Sequence, residues 1–326
     1  MGARELTAKA RHALGRMRPV VSASLAVRPR SLAPARRRYR EFGLQKPRFA
    51  TVRHEEVAGM GEGTPTLDLP DGIESLRSDG RFAALAPPLR EGLEAWPERG
   101  YLVAEGFFEA DRARELGDEV ERLAADGTIR RHPRDPRFMN VHRQSAVAEE
   151  LAGDPRLLEL IDLILGRSAR LFQTIYFRNG SQQEAHSDAF HMMTEPPGFL
   201  VGVWIALEDI DEGSGPVFYL PGSHRLPYLM TEDLGVSAPP GLIPDKGAAY
   251  VGRVRGEVQD FGSAEVPFTA RAGDVLLWHH NLIHGGSAVT REGATRRSLV
   301  GHYFAERVLC YHEVTERPAQ MPAGFD

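Results

Sequence analysis

The second half of the chain restricts the possible folds most, because short strand-like runs alternate there with tight turns. Segments 169–178, 199–207, 216–220, 274–279 and 296–304 are rich in aromatic and β-branched residues. Turn clusters such as Asn179-Gly180, Pro221-Gly222-Ser223, Ala272-Gly273-Asp274 and Glu292-Gly293 separate them. Runs this short argue for a sandwich or barrel and against a βαβ fold. Two helices precede them. From about Asp111 to Ala125, Ala113, Leu116, Val120 and Leu123 recur at helical spacing, and Gly127 follows as a stop. In the second helix Asp154 is the cap, Pro155 fills the first position, Leu157, Leu160, Ile161 and Ile164 form one face, and Gly166 closes it. The expected architecture is mainly β, with these helices packed on one face.

The N-terminal part differs in kind. Residues 1–50 hold 13 Lys/Arg and 2 Asp/Glu, a balance of +11 in a chain of net charge -5, which leaves -16 for the remainder. So acidic a body is not expected to bind nucleic acid. A helix over Glu5–Met17 would gather Leu6, Ala10, Ala13, Leu14 and Met17 on one face, with basic residues around it. Two roles fit residues 1–50: contact with an anionic surface, partner or targeting machinery, or a solvated extension outside the chemistry. Residues 55–72, rich in Gly, Pro and acid, read as a linker. The expected organisation is a basic extension with linker over 1–75 and one domain over 76–326. No apolar run approaches the length of a membrane span, and none near Met1 suits a secretory signal. With Cys310 as the only cysteine, a cytoplasmic location is expected.

One constellation carries chemistry. His186-Ser187-Asp188 follows the strand candidate Leu171–Arg178 and its Asn179-Gly180 turn. In extended chain, residues two apart project to the same side, so an imidazole and a carboxylate emerge together. His284 follows the apolar run Val275-Leu276-Leu277-Trp278 and precedes Gly285-Gly286, a suitable source of a third ligand. Two imidazoles and one carboxylate on one face of an octahedron suit iron(II) and leave three positions for oxygen and a bidentate 2-oxo acid. A bare His-x-Asp is a weak signal, so its surroundings must decide.

Those surroundings resemble the phytanoyl-CoA dioxygenase family from Gly100 to Phe304. The resemblance is carried by Gly100-Tyr101-Leu102-Val103 with Gly106-Phe107-Phe108, by His186-Ser187-Asp188, and by Trp204-Ile205-Ala206-Leu207. It continues through Gly213-Ser214-Gly215-Pro216, Leu220-Pro221-Gly222-Ser223-His224, and Ala272-Gly273-Asp274-Val275 leading to His284-Gly285-Gly286-Ser287. It implies a double-stranded β-helix of the jelly-roll, cupin-like type. It also implies Fe(II), 2-oxoglutarate and O2 as the reacting set, yielding succinate, CO2 and an oxidised small-molecule substrate. His186, Asp188 and His284 would be the metal ligands. The intact Asp188, where related halogenases carry a small residue, argues for hydroxylation of an unactivated C–H bond, with desaturation, ring closure and epimerisation left open.

The family's 2-oxoglutarate arginine lies on the strand after the second metal histidine, where both Arg296 and Arg297 fall. If 296–302 is a strand, Arg296, Ser298, Val300 and His302 share one face and Arg297 points away. That favours Arg296 and leaves Arg297 possible. Gln173, Trp204 and Ser287 are further candidates for cosubstrate binding. The competing roles are a satisfied core amide, a core aromatic and a turn residue. His191, His279, His280 and His302 read as pocket or supporting groups rather than ligands. Substrate contacts are expected from 189–198 and 225–270, which mix Phe190, Met192, Tyr228 and Lys246. Two other functions compete: a β-helix binding module without turnover, and an adaptor that works through its basic tail.

Overall fold

The computed structural model describes residues 14, 16–26, 33–47, 49–130 and 137–318. Most of the helix expected over Glu5–Met17 lies outside them. Twelve strands are formed among the described residues: β1 Tyr101–Ala104, β2 Phe138–Met139, β3 Ala169–Phe177, β4 Met193–Glu195, β5 Leu200–Ala206 and β6 Val217–Tyr219, followed by β7 Val266–Pro267, β8 Val275–His279, β9 His284–Gly286, β10 Ser298–Ala305, β11 Leu309–His312 and β12 Arg317–Pro318. A six-stranded antiparallel sheet runs β1-β8-β5-β10-β3-β2. Two three-stranded sheets, β12-β11-β4 and β7-β6-β9, complete the architecture. This is the double-stranded β-helix that the resemblance implies.

Side-chain alternation divides the large sheet into two faces. Tyr176, Val203, Ile205, Leu277 and Leu299 belong to the core shared with the helices. Helix Ala110–Ala125 buries Ala113, Leu116, Val120 and Leu123 in that core. Helix Pro155–Leu165 adds Leu157, Leu160, Ile161 and Ile164. Its cap is the one the sequence implies: the Asp154 carboxylate accepts the Arg156 N–H, and Gly166 closes the helix at φ 69°. Ile175, Trp204, Leu276, Trp278 and Val300 face the other way, into the barrel.

The described segments before residue 76 pack on this body. Arg18 pairs with Glu316 through two hydrogen bonds of 2.6 and 2.8 Å. Val21 and Leu25 pack with Ile243, and Tyr39 and Val52 pack with Met193 and Tyr311. Within the basic run, Arg37 and Arg38 pair with Glu41. The stretch 55–72 is anchored rather than extended as a linker. Val57 and Leu67 are buried, the Gly61 N–H donates to Glu195 at 2.9 Å, and Asp68 meets His279 at 3.1 Å. The burial of Val57 and Leu67 outweighs the polar composition around them. Helix Gly247–Phe261, within the expected loop 225–270, buries Tyr250 and Val254. Gly247, Gly252 and Gly256 weaken its helical signal in the sequence. Among the described residues, no helix is long and apolar enough to cross a membrane.

Candidate active site

Main-chain pairing brings His186 and His284 together. They form an isolated antiparallel bridge with reciprocal N–H···O bonds of 2.9 Å. Asp188 opens the short 3-10 turn Asp188–Phe190, so its carboxylate enters beside the two rings. The available donor atoms of His186, Asp188 and His284 all lie within 4.8 Å of one another, and all three residues are buried. This is the metal-ligand cluster found among the described residues.

The hydrogen bonds prepare these groups for a cation. His186 Nδ1 lies 2.8 Å from the Glu184 carbonyl, and His284 Nδ1 lies 2.9 Å from the Leu282 carbonyl. A carbonyl only accepts, so each Nδ1 carries the proton and each Nε2 keeps its lone pair. Burial, together with His284 and His191, lowers His186 to about 3, so its ring is neutral near pH 7. Burial opposes ionisation of Asp188, but His302, His284 and His186 hold its carboxyl well below the ordinary range. Asp188 Oδ2 accepts the Trp278 indole N–H at 2.7 Å and lies 3.4 Å from His302 Nε2. Gly202 faces Trp278 across the β5–β8 pair, and a Cβ there would sit 2.2 Å from the indole. Glycine thus opens the space that lets Trp278 reach Asp188.

The triad lines a cavity of about 610 Å³. Arg296 also lines it, is 2% exposed, and lies over Phe177 and Trp204 at 5.3 and 5.8 Å. Its Nε has no hydrogen-bond partner, and it makes no ion pair among the described residues. Burial alone lowers the guanidinium to about 10, so it stays cationic near pH 7. An unpaired buried cation is costly, and a carboxylate held by its fork removes that cost. Arg297 points outward, bonding Glu208 at 2.8 Å and Asp118 at 2.7 Å. The buried orphan N–H of Trp204 adds a donor in the cavity wall.

Other expected residues divide. Gln173 lines the cavity, and its amide lies 3.1 Å from His302 Nδ1. Ser287 does not line it; its backbone N–H bonds Pro216 in the β6–β9 region. His191 and His302 line it, whereas His279 and His280 do not. His279 turns to Asp68, and His280 donates to the Met192 carbonyl at 2.6 Å. No described residue of 225–270 reaches the cavity wall, because that segment covers a different side of the barrel. Lys246 is instead buried against Glu313 and Glu316. Sequence reasoning missed Trp278 as a polar partner, although it alternates with inward Leu276. It also missed Gln183, whose amide lies 3.1 Å from His186 Nε2. The donor set suits a divalent cation with nitrogen and oxygen ligands, and Arg296 suits a dicarboxylate beside it.

Comparison with known proteins agrees. The phytanoyl-CoA dioxygenase (PhyH) family model matches residues 96–298, more than half of the chain. The chain is 26% identical to phytanoyl-CoA dioxygenase domain-containing protein 1 of Danio rerio over 198 residues. That match covers 60% of this chain and 60% of the relative's length. It is 27% identical to the ectoine dioxygenase of Nocardia farcinica (strain IFM 10152) over 215 residues, covering 60% of this chain and 72% of that one. The solved structure of SnoN, a non-heme alpha ketoglutarate dependent epimerase from nogalamycin biosynthesis, superposes with a TM-score of 0.55. At 23% identity, over 72% of this chain and 90% of that one, it shows the shared fold.

Proposed function

From its membership of the phytanoyl-CoA dioxygenase family, we propose that the chain is an Fe(II)- and 2-oxoglutarate-dependent oxygenase that hydroxylates an unactivated C–H bond of a small-molecule metabolite. The observation that carries this reading is the pairing, in one cavity, of a His186–Asp188–His284 cluster with a buried arginine that has no anionic partner.

His186, Asp188 and His284 would hold the iron, the two histidines through Nε2. With 2-oxoglutarate and O2, the bound metal supplies oxidative decarboxylation to succinate and CO2, coupled to attack on a C–H bond. Arg296 would pair with the distal carboxylate of 2-oxoglutarate, with Phe177 and Trp204 packed against its guanidinium. Burial strengthens that pair by excluding competing water. Trp278 and His302 keep Asp188 anionic and fix its orientation. The apolar wall formed by Ile175, Val217 and Val300 excludes water beside the reacting centre.

The test is succinate release from 2-oxoglutarate by purified, iron-loaded protein under O2, with and without a metabolite panel. Succinate formation that rises with a metabolite and returns a hydroxylated product supports the proposal. A product changed only in configuration or ring closure would move the reaction to another branch of the same chemistry. Loaded, folded protein that forms no succinate would favour the binding-module reading.

A further inference from the structure

We propose that Tyr250 is a positioning residue of the candidate metal centre: by accepting the Ser187 backbone N–H, its hydroxyl fixes the stretch from which His186 and Asp188 both face the metal. This rests on the metal-ligand reading above and extends it to a helix that does not line the cavity.

Neighbouring residues of extended chain project to opposite sides. Ser187 has φ -104° and ψ 150°, so His186 and Asp188 share one side and Ser187 faces the other. The backbone of Ser187 therefore sets the angle between two of the three ligands. The isolated bridge to His284 is made by His186, which leaves the Ser187 N–H in need of another acceptor. Ser187 is buried, where an unpaired N–H is costly.

Helix Gly247–Phe261 supplies that acceptor. The buried Tyr250 hydroxyl accepts the Ser187 N–H at 2.8 Å and lies 3.5 Å from Ser187 Oγ. The Tyr250 ring stacks on Phe190, at the far end of the Asp188–Phe190 turn, with centroids 3.5 Å apart and planes 7° from parallel. One side chain thus holds the motif on both sides of Asp188. Further along the helix, Arg255 donates to the Glu184 carboxylate at 2.7 Å, and the Glu184 carbonyl is the group that meets His186 Nδ1. Val254 shares an apolar cluster with Phe190 and with Ile283, the residue before His284.

No residue of this helix lines the cavity, so its effect on the centre passes through the motif it packs against. The Arg255 pair is exposed and contributes little. The tyrosine hydroxyl is the decisive atom. Its removal keeps the ring, the stack and the packed volume, but leaves a buried N–H between two metal ligands without an acceptor.

The experiment is anaerobic Fe(II) titration of the full chain as wild type, Tyr250→Phe and Val254→Ala, with thermal melts of each. Val254→Ala empties core volume on the same helix and leaves the hydroxyl in place. The expected result is an Fe(II) affinity about tenfold weaker in folded Tyr250→Phe. Val254→Ala should melt earlier, yet bind Fe(II) within about twofold of wild type. Hydrogen exchange over residues 184–190 of wild type adds a readout that needs no variant, and the Ser187 N–H should be protected. Unchanged affinity in Tyr250→Phe, an equal loss of affinity in Val254→Ala, or free exchange at Ser187 overturns the inference and leaves the metal-ligand reading intact. Folded wild-type protein that binds no Fe(II) overturns that reading, and this inference with it.

Discussion

The indole of Trp278 donates its N–H to Asp188 Oδ2 at 2.7 Å, which ties the carboxylate of the candidate metal centre to the large sheet through β8. The partner exists because Gly202, opposite in β5, leaves room for the indole. Trp278→Phe keeps the aromatic volume and removes the donor. The expected outcome is folded protein whose Fe(II) affinity falls by about ten- to a hundredfold, read by anaerobic metal titration. Unchanged affinity would show that Asp188 is oriented by His302 alone.

Arg296 and Arg297 are adjacent in sequence and opposite in environment. Arg296→Ala should raise the 2-oxoglutarate concentration needed for half-saturation by about tenfold or more, because a charge-assisted pair is lost. Arg297→Ala should leave that requirement unchanged and cost about 1 kcal/mol of stability through its Glu208 and Asp118 pairs. Binding titrations and denaturation on both variants separate the roles. The reverse order would move the cosubstrate to the outer face.

Acid should destabilise the fold through two buried histidines. His224 and His280 each donate Nε2–H to a backbone carbonyl and leave Nδ1 without a partner. Burial lowers both to about 4. Unfolded, each titrates near the ordinary histidine value of about 6.5. Between those values the unfolded chain binds protons that the folded chain refuses, so stability is full above pH 6.5 and falls as pH falls toward 4. Each group contributes a slope of about 1.4 kcal/mol per pH unit in that window. Denaturant titrations at several pH values check it, and His280→Gln should flatten the dependence. An identical slope in that variant would show that other groups govern acid sensitivity.

Lys246 is 2% exposed; its Nζ donates to the Glu313 carbonyl at 2.6 Å and lies 3.8 Å from Glu313 and Glu316 carboxylates. Glu316 also holds Arg18, so one buried cluster joins the N-terminal helix, the 225–262 segment and the C-terminal strands. Lys246→Met should lower stability by about 3–5 kcal/mol, since it leaves buried carboxylates underpaired. Fe(II) affinity of the folded fraction should not change, because Lys246 does not line the cavity. A selective loss of metal binding, without loss of stability, would contradict this assignment.

The large sheet was legible because its strands alternate. Trp204, Leu276 and Val300 each sit two residues from another inward position, and the period of two places Arg296 inside even though β10 begins at Ser298. The cap at Asp154 and the stop at Gly166 were legible because both are local chemistry. What stayed hidden depends on distant partners. His280 lies one residue past the end of β8, where the chain turns, so proximity in sequence to His284 did not bring it to the cavity. The short strands β4, β9 and β11 have too few residues to show a period. Ser287 resembles a cosubstrate contact in sequence, but lies in the turn after β9 and outside the cavity wall. Val57 and Leu67 are the buried hydrophobic anchors of their segment, and two such widely spaced residues show no period among its glycines and acids.

The central claim is that His186, Asp188 and His284 hold iron(II) beside a 2-oxoglutarate bound by Arg296. The direct test is anaerobic addition of Fe(II) and then 2-oxoglutarate to purified apoprotein, followed by metal-to-ligand charge-transfer absorption. The account predicts that the band forms in the wild type, is lost in His186→Ala, and requires more 2-oxoglutarate in Arg296→Ala. Absence of the band in well-folded wild-type protein, or its full retention in His186→Ala, would contradict it.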